Sequence, residues 1–327
     1  MCTAISFLSR DHYFGRTLDL EYTYDEHIVV TPRHFPFHYR ELPTDRDHYS
    51  IIGIATVMDD YPLYYDACNE HGLSIAGLNF VGNAVYHPWE EGMCNLAQFE
   101  LIPWLLGRCQ TVAEARAELE HINLLDVPFR PDLPVARLHW MIADRGQSIV
   151  AEPTSNGLFI YDNPVGILAN NPPFPNQLER LSVYQNLTSQ EESTARFSND
   201  FPLTPDTRGT GAIGLPGDWS SPSRFVRAAF AKMNAIPKET EEDSVNQFFH
   251  ILGSVEQIEG CLRLGDALER TQYTSCCNTD RAIYYCKTYG NHQITAVPLP
   301  RTDVDSCDLQ VYSLVTKECF FCPRDCL

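Results

Sequence analysis

The residue best equipped for chemistry stands second in the chain, in Met1-Cys2-Thr3-Ala4-Ile5-Ser6-Phe7. Cysteine is small, so Met1 is expected to be removed, leaving Cys2 with a thiol and a free α-amine on one carbon. In simple peptides the amine titrates near ~8 and the thiol near ~8.5, so the amine is partly free to act as a base at neutral pH. Nucleophile and base then reside in one residue, and no histidine is required. By itself, Met-Cys favours the plainer reading of an ordinary thiol at a chance start.

The residues that follow narrow that gap. Cys2–Leu8 reads as a strand and Tyr13–Leu18 as its partner, about the polar turn Ser9-Arg10-Asp11-His12. Folding back brings Leu18 and Asp19 beside Cys2, with Arg16 one step further in. A guanidinium near the sulfur favours thiolate, and a carboxylate near the amine orients it.

Composition excludes several function classes. The chain has 327 residues, 44% of them hydrophobic, enough to bury a substantial core. A net charge of −19 argues against nucleic acid or an anionic membrane as partner and favours a soluble cytoplasmic protein. An anionic substrate must then be met by local cations, which draws attention to Arg16 and Arg224. No stretch approaches ~20 apolar residues, and no basic region precedes an apolar one at the start, so neither a membrane span nor a signal peptide is read. The twelve cysteines are accordingly expected as reduced thiols. Cys319, Cys322 and Cys326 cluster in a tail of about residues 317–327, but a fourth ligand is missing, so no metal site is assigned.

The positioning elements alternate between strands and helices. Ile28–Pro32, Ser50–Val57 and Leu73–Phe80 read as strands, the last carrying Asn79 near its end, where a turn former and a site donor are both possible. Asp59-Asp60-Tyr61-Pro62 reads as a loop. Asn95–Gly107 and a segment opened by the capping box Thr111-Val112-Ala113-Glu114 read as two helices. Ala136–Ala143, Ser148–Glu152, Leu158–Tyr161 and Val165–Ala169 read as one meander ending at Asn170-Asn171-Pro172-Pro173. His139 within it reads as a satisfied core histidine. Helices follow at Pro175–Leu187, at Ser221–Met233 with Ser221 as cap, and at Ser244–Val255. A second meander spans Gln272–Cys277, Ala282–Thr288 and Gln293–Pro298, with a last strand near Leu309–Thr316. Gly209-Thr210-Gly211-Ala212-Ile213-Gly214 spells a dinucleotide fingerprint, but a Pro-bearing loop precedes it, so no nucleotide site is read. The simplest packing is an α+β sandwich of two antiparallel sheets between helical layers, formed as one domain.

Several blocks then recur in a familiar order: Phe14-Gly15-Arg16-Thr17-Leu18-Asp19, Asn69-Glu70-His71-Gly72-Leu73, Ala76-Gly77-Leu78-Asn79-Phe80, Leu168-Ala169-Asn170-Asn171-Pro172, Ser223-Arg224-Phe225 and Gln272-Tyr273-Thr274-Ser275. With Met1-Cys2-Thr3 they resemble the choloylglycine hydrolases, the bile-salt hydrolase and penicillin V acylase family of N-terminal-nucleophile hydrolases. The resemblance implies a four-layer αββα sandwich, a bacterial cytoplasmic location, no cofactor and usually a homotetramer. It implies that Cys2 attacks an amide carbonyl, that Arg16 and Asp19 set the state of its thiol and amine, and that Asn79 and Asn170 contact the carbonyl and developing oxyanion. Arg224 completes the polar cluster. Asn at position 79 fits the bile-salt branch, implying glycine- or taurine-conjugated bile acids as substrates. Penicillin V acylase chemistry and a silent steroid binder remain the alternatives. Leu18, Tyr61, Leu133 and Val135 are expected either in a steroid pocket or in plain packing, with selectivity decided around Asp59–Tyr65 and Pro128–Val135.

Overall fold

A computed structural model describes residues 1–190, 200–201, 203 and 207–321. The first hairpin is β1 (Cys2–Leu8) and β2 (His12–Leu20), as expected, and β3 (His27–Thr31), β4 (Ile51–Met58), β5 (Tyr61–Asn69) and β6 (Ser74–Asn79) follow. Next come β7 (Cys94–Ala97), α1 (Leu101–Arg108), α2 (Val112–Leu119) and β8 (Ile122–Leu125). The middle of the chain gives β9 (Leu138–Ala143), β10 (Ser148–Thr154), β11 (Gly157–Asp162), β12 (Ile167–Leu168) and α3 (Phe174–Arg180). The remainder holds α4 (Ser221–Asn234), α5 (Glu241–Gly253), β13 (Leu262–Leu264), β14 (Ala267–Asn278), β15 (Ile283–Thr288), β16 (Asn291–Pro298) and β17 (Gln310–Ser313).

Two antiparallel sheets result. One runs β12-β1-β2-β14-β15-β16, with β13 paired to β14, and the other runs β11-β10-β9-β6-β5-β4-β3-β17. They face each other through β1, β2 and β6, while α4 and α5 cover the first sheet and α1 covers the second. The strands are apolar on both faces because each sheet is sandwiched, which is why most of their positions are buried. Phe225, Ala228 and Ala229 of α4 and Phe248, Ile251 and Leu252 of α5 seal one outer layer, and each buried phenylalanine contributes about 1.5–3 kcal/mol of transfer free energy. Leu101, Leu105, Val112 and Ala115 seal the other against Ile75 and Trp140. The α+β architecture expected from the sequence is therefore present. Among the described residues no helix is long and apolar enough to cross a membrane.

Three local expectations need correction. The stretch after Asp59 is strand β5, joined to β4 by a two-residue turn in which Asp59 (φ 50°) and Asp60 (φ 59°) are both left-handed. Aspartate tolerates that conformation, and a turn with both central residues left-handed matches the twist of a hairpin. Asn95 begins no helix: Cys94–Ala97 pairs in parallel with Ile122–Leu125, and helix α1 starts only after a short 3₁₀ turn at Gln98–Glu100. Finally, Val165–Ala169 leaves its meander. Its strand β12 crosses to the other sheet and pairs with β1, Ala4 opposite Leu168.

The start of the cysteine-rich tail is tied down by Thr288 Oγ1, which donates to Val315 O at 2.7 Å, and by Asn291 Nδ2, which donates to Lys317 O at 2.7 Å. Cys322 and Cys326 lie outside the described residues.

Candidate active site

The β1–β2 hairpin places Cys2 opposite Leu18 and Ala4 opposite Arg16, and Asp19 pairs with Thr271 of β14. Arg16 is fully buried. Its Nε donates to Thr17 O at 3.2 Å, and its Nη1 donates to Tyr65 O at 3.1 Å and to Gly77 O. Among the described residues its Nη2 has no partner. Leaving such a donor unmatched costs about 1–3 kcal/mol or more, so it is ready for an acceptor on a bound molecule. Burial pulls the Arg16 pKa down, yet Cys2, Tyr273, Asp66 and Asp19 together raise it above its ordinary value. A fixed positive charge therefore stands near the sulfur.

Asp19 is held by Thr271 Oγ1 at 2.7 Å and Thr17 Oγ1 at 3.3 Å, with Arg224 Nη1 3.9 Å from its Oδ2. The crossing of β12 carries Asn170 to the same point. Asn170 Oδ1 accepts from Cys2 N at 2.8 Å and from Arg224 Nη2 at 2.7 Å, while its Nδ2 donates to Asn79 O at 2.8 Å. Both ends of the Asn170 amide are thus engaged. Asn79 is joined to this network by its backbone carbonyl, and its own side chain makes no hydrogen bond to a described residue.

Ser221 does not cap α4. The cap position is Ser220, without a side-chain capping bond, and the Ser221 hydroxyl instead accepts from Asn170 N at 2.8 Å. The first turn of α4 therefore holds the Asn170 loop. Arg224, one turn in, is fully buried and donates through Nη1 to Cys2 O and Thr3 Oγ1 and through Nε to Trp219 O at 3.3 Å. Its presence at a helix start, unfavourable for the dipole, is explained by these partners. Burial lowers its pKa against the opposing effects of Asp19, Cys2 and Glu269.

Met1 precedes β1 and lies beside Asp19 and Glu269. Asp19 N donates to Met1 O at 2.8 Å, and the Met1 ammonium pairs with Glu269 Oε1 at 2.6 Å and donates to Asp19 O. In this form Cys2 N is an amide. Removing Met1 would turn that nitrogen into an amine already bonded to Asn170, and would release the Asp19 backbone and Glu269. Burial raises the Glu269 pKa against the lowering influence of the Met1 ammonium.

His139 is a buried core residue, as expected: Nδ1 lies 3.1 Å from Glu152 Oε1, Nε2 lies 2.9 Å from Ala169 O, and its ring stacks on Phe80 at 4.3 Å.

Cys2, Arg16 and Asn79 border one cavity of about 350 Å³, which Leu18, Leu133 and Val135 also line. Tyr61 is placed differently from the expected pocket wall. It sits behind the wall, 5.9 Å from the Phe99 ring and 5.7 Å from the Phe129 ring, and those two rings face the cavity instead. Leu63 of β5, Ile102 of α1 and Trp140 of β9 complete much of the apolar lining. No local motif marks them, because they converge from separate elements. Thr271, Ser221 and Glu269 were likewise unreadable as site residues, being ordinary strand and helix positions in sequence.

Comparison with known proteins fits this arrangement. The chain is 48% identical over 315 residues to a bile salt hydrolase/transferase of Lactiplantibacillus plantarum, covering 96% of this chain and 97% of that one. A crystal structure of a mutant conjugated bile acid hydrolase from Clostridium perfringens superposes with a TM-score of 0.90 at 34% identity, covering 98% of this chain and 99% of that one. Penicillin V acylase from Agrobacterium tumefaciens shares the fold, with a TM-score of 0.76 at 18% identity over 95% of this chain and 90% of that one. The model of the linear amide C–N hydrolases, choloylglycine hydrolase family, matches residues 2–312, and the chain belongs to that family.

Proposed function

We propose that this protein hydrolyses the amide bond of glycine- or taurine-conjugated bile acids, with Cys2, freed of Met1, as nucleophile. The observation that carries this reading is the meeting of Cys2, Arg16 with its buried and unpaired Nη2, and Asn79 with its unengaged amide on one apolar-walled cavity. The names of the relatives support the substrate class, and an amphipathic steroid suits walls of Leu, Phe and Trp.

The thiol proton passes to the Cys2 α-amine, and the thiolate attacks the substrate carbonyl carbon. Asn79 is the free donor for the resulting oxyanion, whereas Asn170 would first have to release Asn79 O to reach it. Loss of one such donor typically costs about 10²–10³ in turnover. The tetrahedral species collapses, the C–N bond breaks, and the ammonium returns its proton to the departing amino acid. Water, deprotonated by the same amine, then attacks the thioester, and the bile acid leaves as the thiol re-forms. A second amine in place of water attacks the thioester, so that the C–S bond breaks, a new amide forms and the bile acyl group passes to that amine, the aminoacyl-transfer side reaction. Arg16 and Asp19 fix charge and orientation around Cys2, and Arg224 holds its carbonyl. The family resemblance further supports a cytoplasmic homotetramer, which light scattering would check.

The test is amino-acid release from glycocholate, taurocholate and penicillin V in parallel under reducing conditions, with the N-terminal mass measured on the same sample. Bile-salt cleavage by a protein that begins at Cys2 is expected. Cys2→Ala should abolish it while leaving the far-ultraviolet circular dichroism unchanged, and normal turnover in that variant would end the mechanism.

A further inference from the structure

The polar atoms along the cavity divide into matched and unmatched ones. Thr56 Oγ1 is bonded to Tyr24 O at 3.0 Å and to Tyr65 OH at 2.9 Å, and Tyr64 OH to Thr31 Oγ1 at 2.8 Å. Arg16 Nη2 is unmatched but borders the same cavity as the thiol and serves the scissile end. The unengaged Asn79 amide belongs to that end too, and among the described residues two further buried atoms of the lining residues have no partner, Gln98 Oε1 and Trp140 Nε1. Gln98 is 4% exposed and Trp140 0%, and both line the cavity. One is an acceptor and the other a donor. Their neighbours on that wall, Leu63, Phe99, Ile102 and Leu138, can match neither.

Both side chains are held in place. Gln98 opens the 3₁₀ turn ahead of α1, where Glu100 accepts from Ala97 N at 2.8 Å and from Arg40 N at 2.7 Å. The Arg40 guanidinium lies 5.7 Å from the Phe99 ring and 5.5 Å from the Phe129 ring, bracing the turn. Trp140 stands opposite Gly77, where even a methyl group would come within 3.2 Å of its Nε1. Trp140, Tyr64 and Ile102 belong to the core between the second sheet and α1–α2, whereas Cys2 and Leu18 belong to the other core. The unmatched pair therefore faces the body of a ligand rather than its reacting amide.

We infer that Gln98 and Trp140 form a hydroxyl-reading subsite that binds a ring hydroxyl of the steroid and sets which hydroxylation pattern is cleaved best. A hydroxyl is both donor and acceptor, so it can satisfy either atom. A site built to hydrogen-bond a hydroxyl discriminates against analogues lacking it, because its buried groups then stay unmatched. This inference rests on the bile-acid reading of the active site.

The test compares kcat and KM for glycine conjugates carrying no ring hydroxyl, one, two and three, in wild type, Gln98→Leu, Gln98→Glu and Trp140→Phe. Wild type should prefer at least one hydroxylated conjugate over the unsubstituted one. Gln98→Leu should lower that preference about tenfold, mainly through KM, and Gln98→Glu, which keeps an acceptor, should restore part of it. Trp140→Phe should lower it in the same direction. Because Gln98→Leu removes an unmatched polar atom, its urea midpoint should equal or exceed that of wild type, which a purely structural role would not allow. Ratios within twofold of wild type in both the leucine and phenylalanine variants, or a uniform loss on every conjugate, would overturn the subsite. A wild-type protein silent on all conjugates would instead overturn the activity reading, and the subsite with it.

Discussion

Asn170 gives the most demanding test of the site's construction. Replacing it by alanine deletes the acceptor for Cys2 N and Arg224 Nη2 and the donor to Asn79 O. Arg224 is fully buried, and its remaining bonds are made by Nη1 and Nε, so Nη2 would lose its partner. A charged buried donor left unmatched costs about 1.5–3 kcal/mol, and the two neutral groups add about 1 kcal/mol each where water cannot enter. Partial hydration through the adjoining cavity brings the expected loss to about 3 kcal/mol. For a chain of this size that lowers Tm by about 4 °C. Urea unfolding followed by tryptophan fluorescence reads the stability, and amino-acid release from a conjugated bile salt reads the rate, expected to fall at least about a hundredfold. Asn170→Asp separates the two roles. It keeps the one acceptor that Arg224 Nη2 and Cys2 N share, so it should lose less stability than alanine, but it places oxygen against Asn79 O and should still lose turnover. An Asn170→Ala protein within 0.5 kcal/mol of wild type and within threefold of its rate would refute the anchoring argument, an outcome well outside the effect expected for such a buried bond.

Two further outcomes follow from groups that support the site. Burial raises the Glu100 pKa to about 6 from 4.5, against the hydrogen bonds from Ala97 N and Arg40 N. A carboxyl with a raised folded pKa binds more protons folded than unfolded between those values, so its contribution to stability is present below pH 4.5 and is lost as pH rises through about 6. The difference in unfolding free energy between pH 4.5 and pH 7 should therefore shift by up to ~2 kcal/mol toward greater stability at pH 7 in Glu100→Gln relative to wild type. Parallel urea titrations at the two pH values measure this, and identical pH slopes would contradict it. Gly15→Ala should fail to yield folded protein, because its Cβ would fall 2.1 Å from Ser275 O in the neighbouring strand. A soluble variant with a wild-type unfolding midpoint would show that β2 and β14 can separate at Gly15.

What the sequence made legible is bounded by range. The β1–β2 hairpin could be read because its strands, its turn and its chemistry lie within nineteen residues, and folding about one turn fixes which residues meet. Arg224 could be noticed locally, since a cation in the first turn of a helix asks for a partner, but that partner could not be named from the helix. The place of Tyr61 is not legible because no local signal marks strand β5. Its turn is Asp-Asp rather than Asp-Gly, and Pro62 argues against a strand, although Pro62 pairs opposite Val57 near the end of the ladder. Asn170 shows the limit most sharply. Its loop looks like the end of a meander, because Val165–Ala169 is a short apolar run that follows the preceding strands directly in sequence. Only the choice of β12 to pair with β1 instead of its sequence neighbours brings Asn170 to Cys2. That choice is fixed by Ile167 and Leu168, wholly buried in the core that contains Cys2, and by Ser221, which holds the next residues from across the chain. Pairing across 168 residues leaves no periodic trace, so the nucleophile was readable from the strand while the residue that holds its nitrogen needed the whole fold.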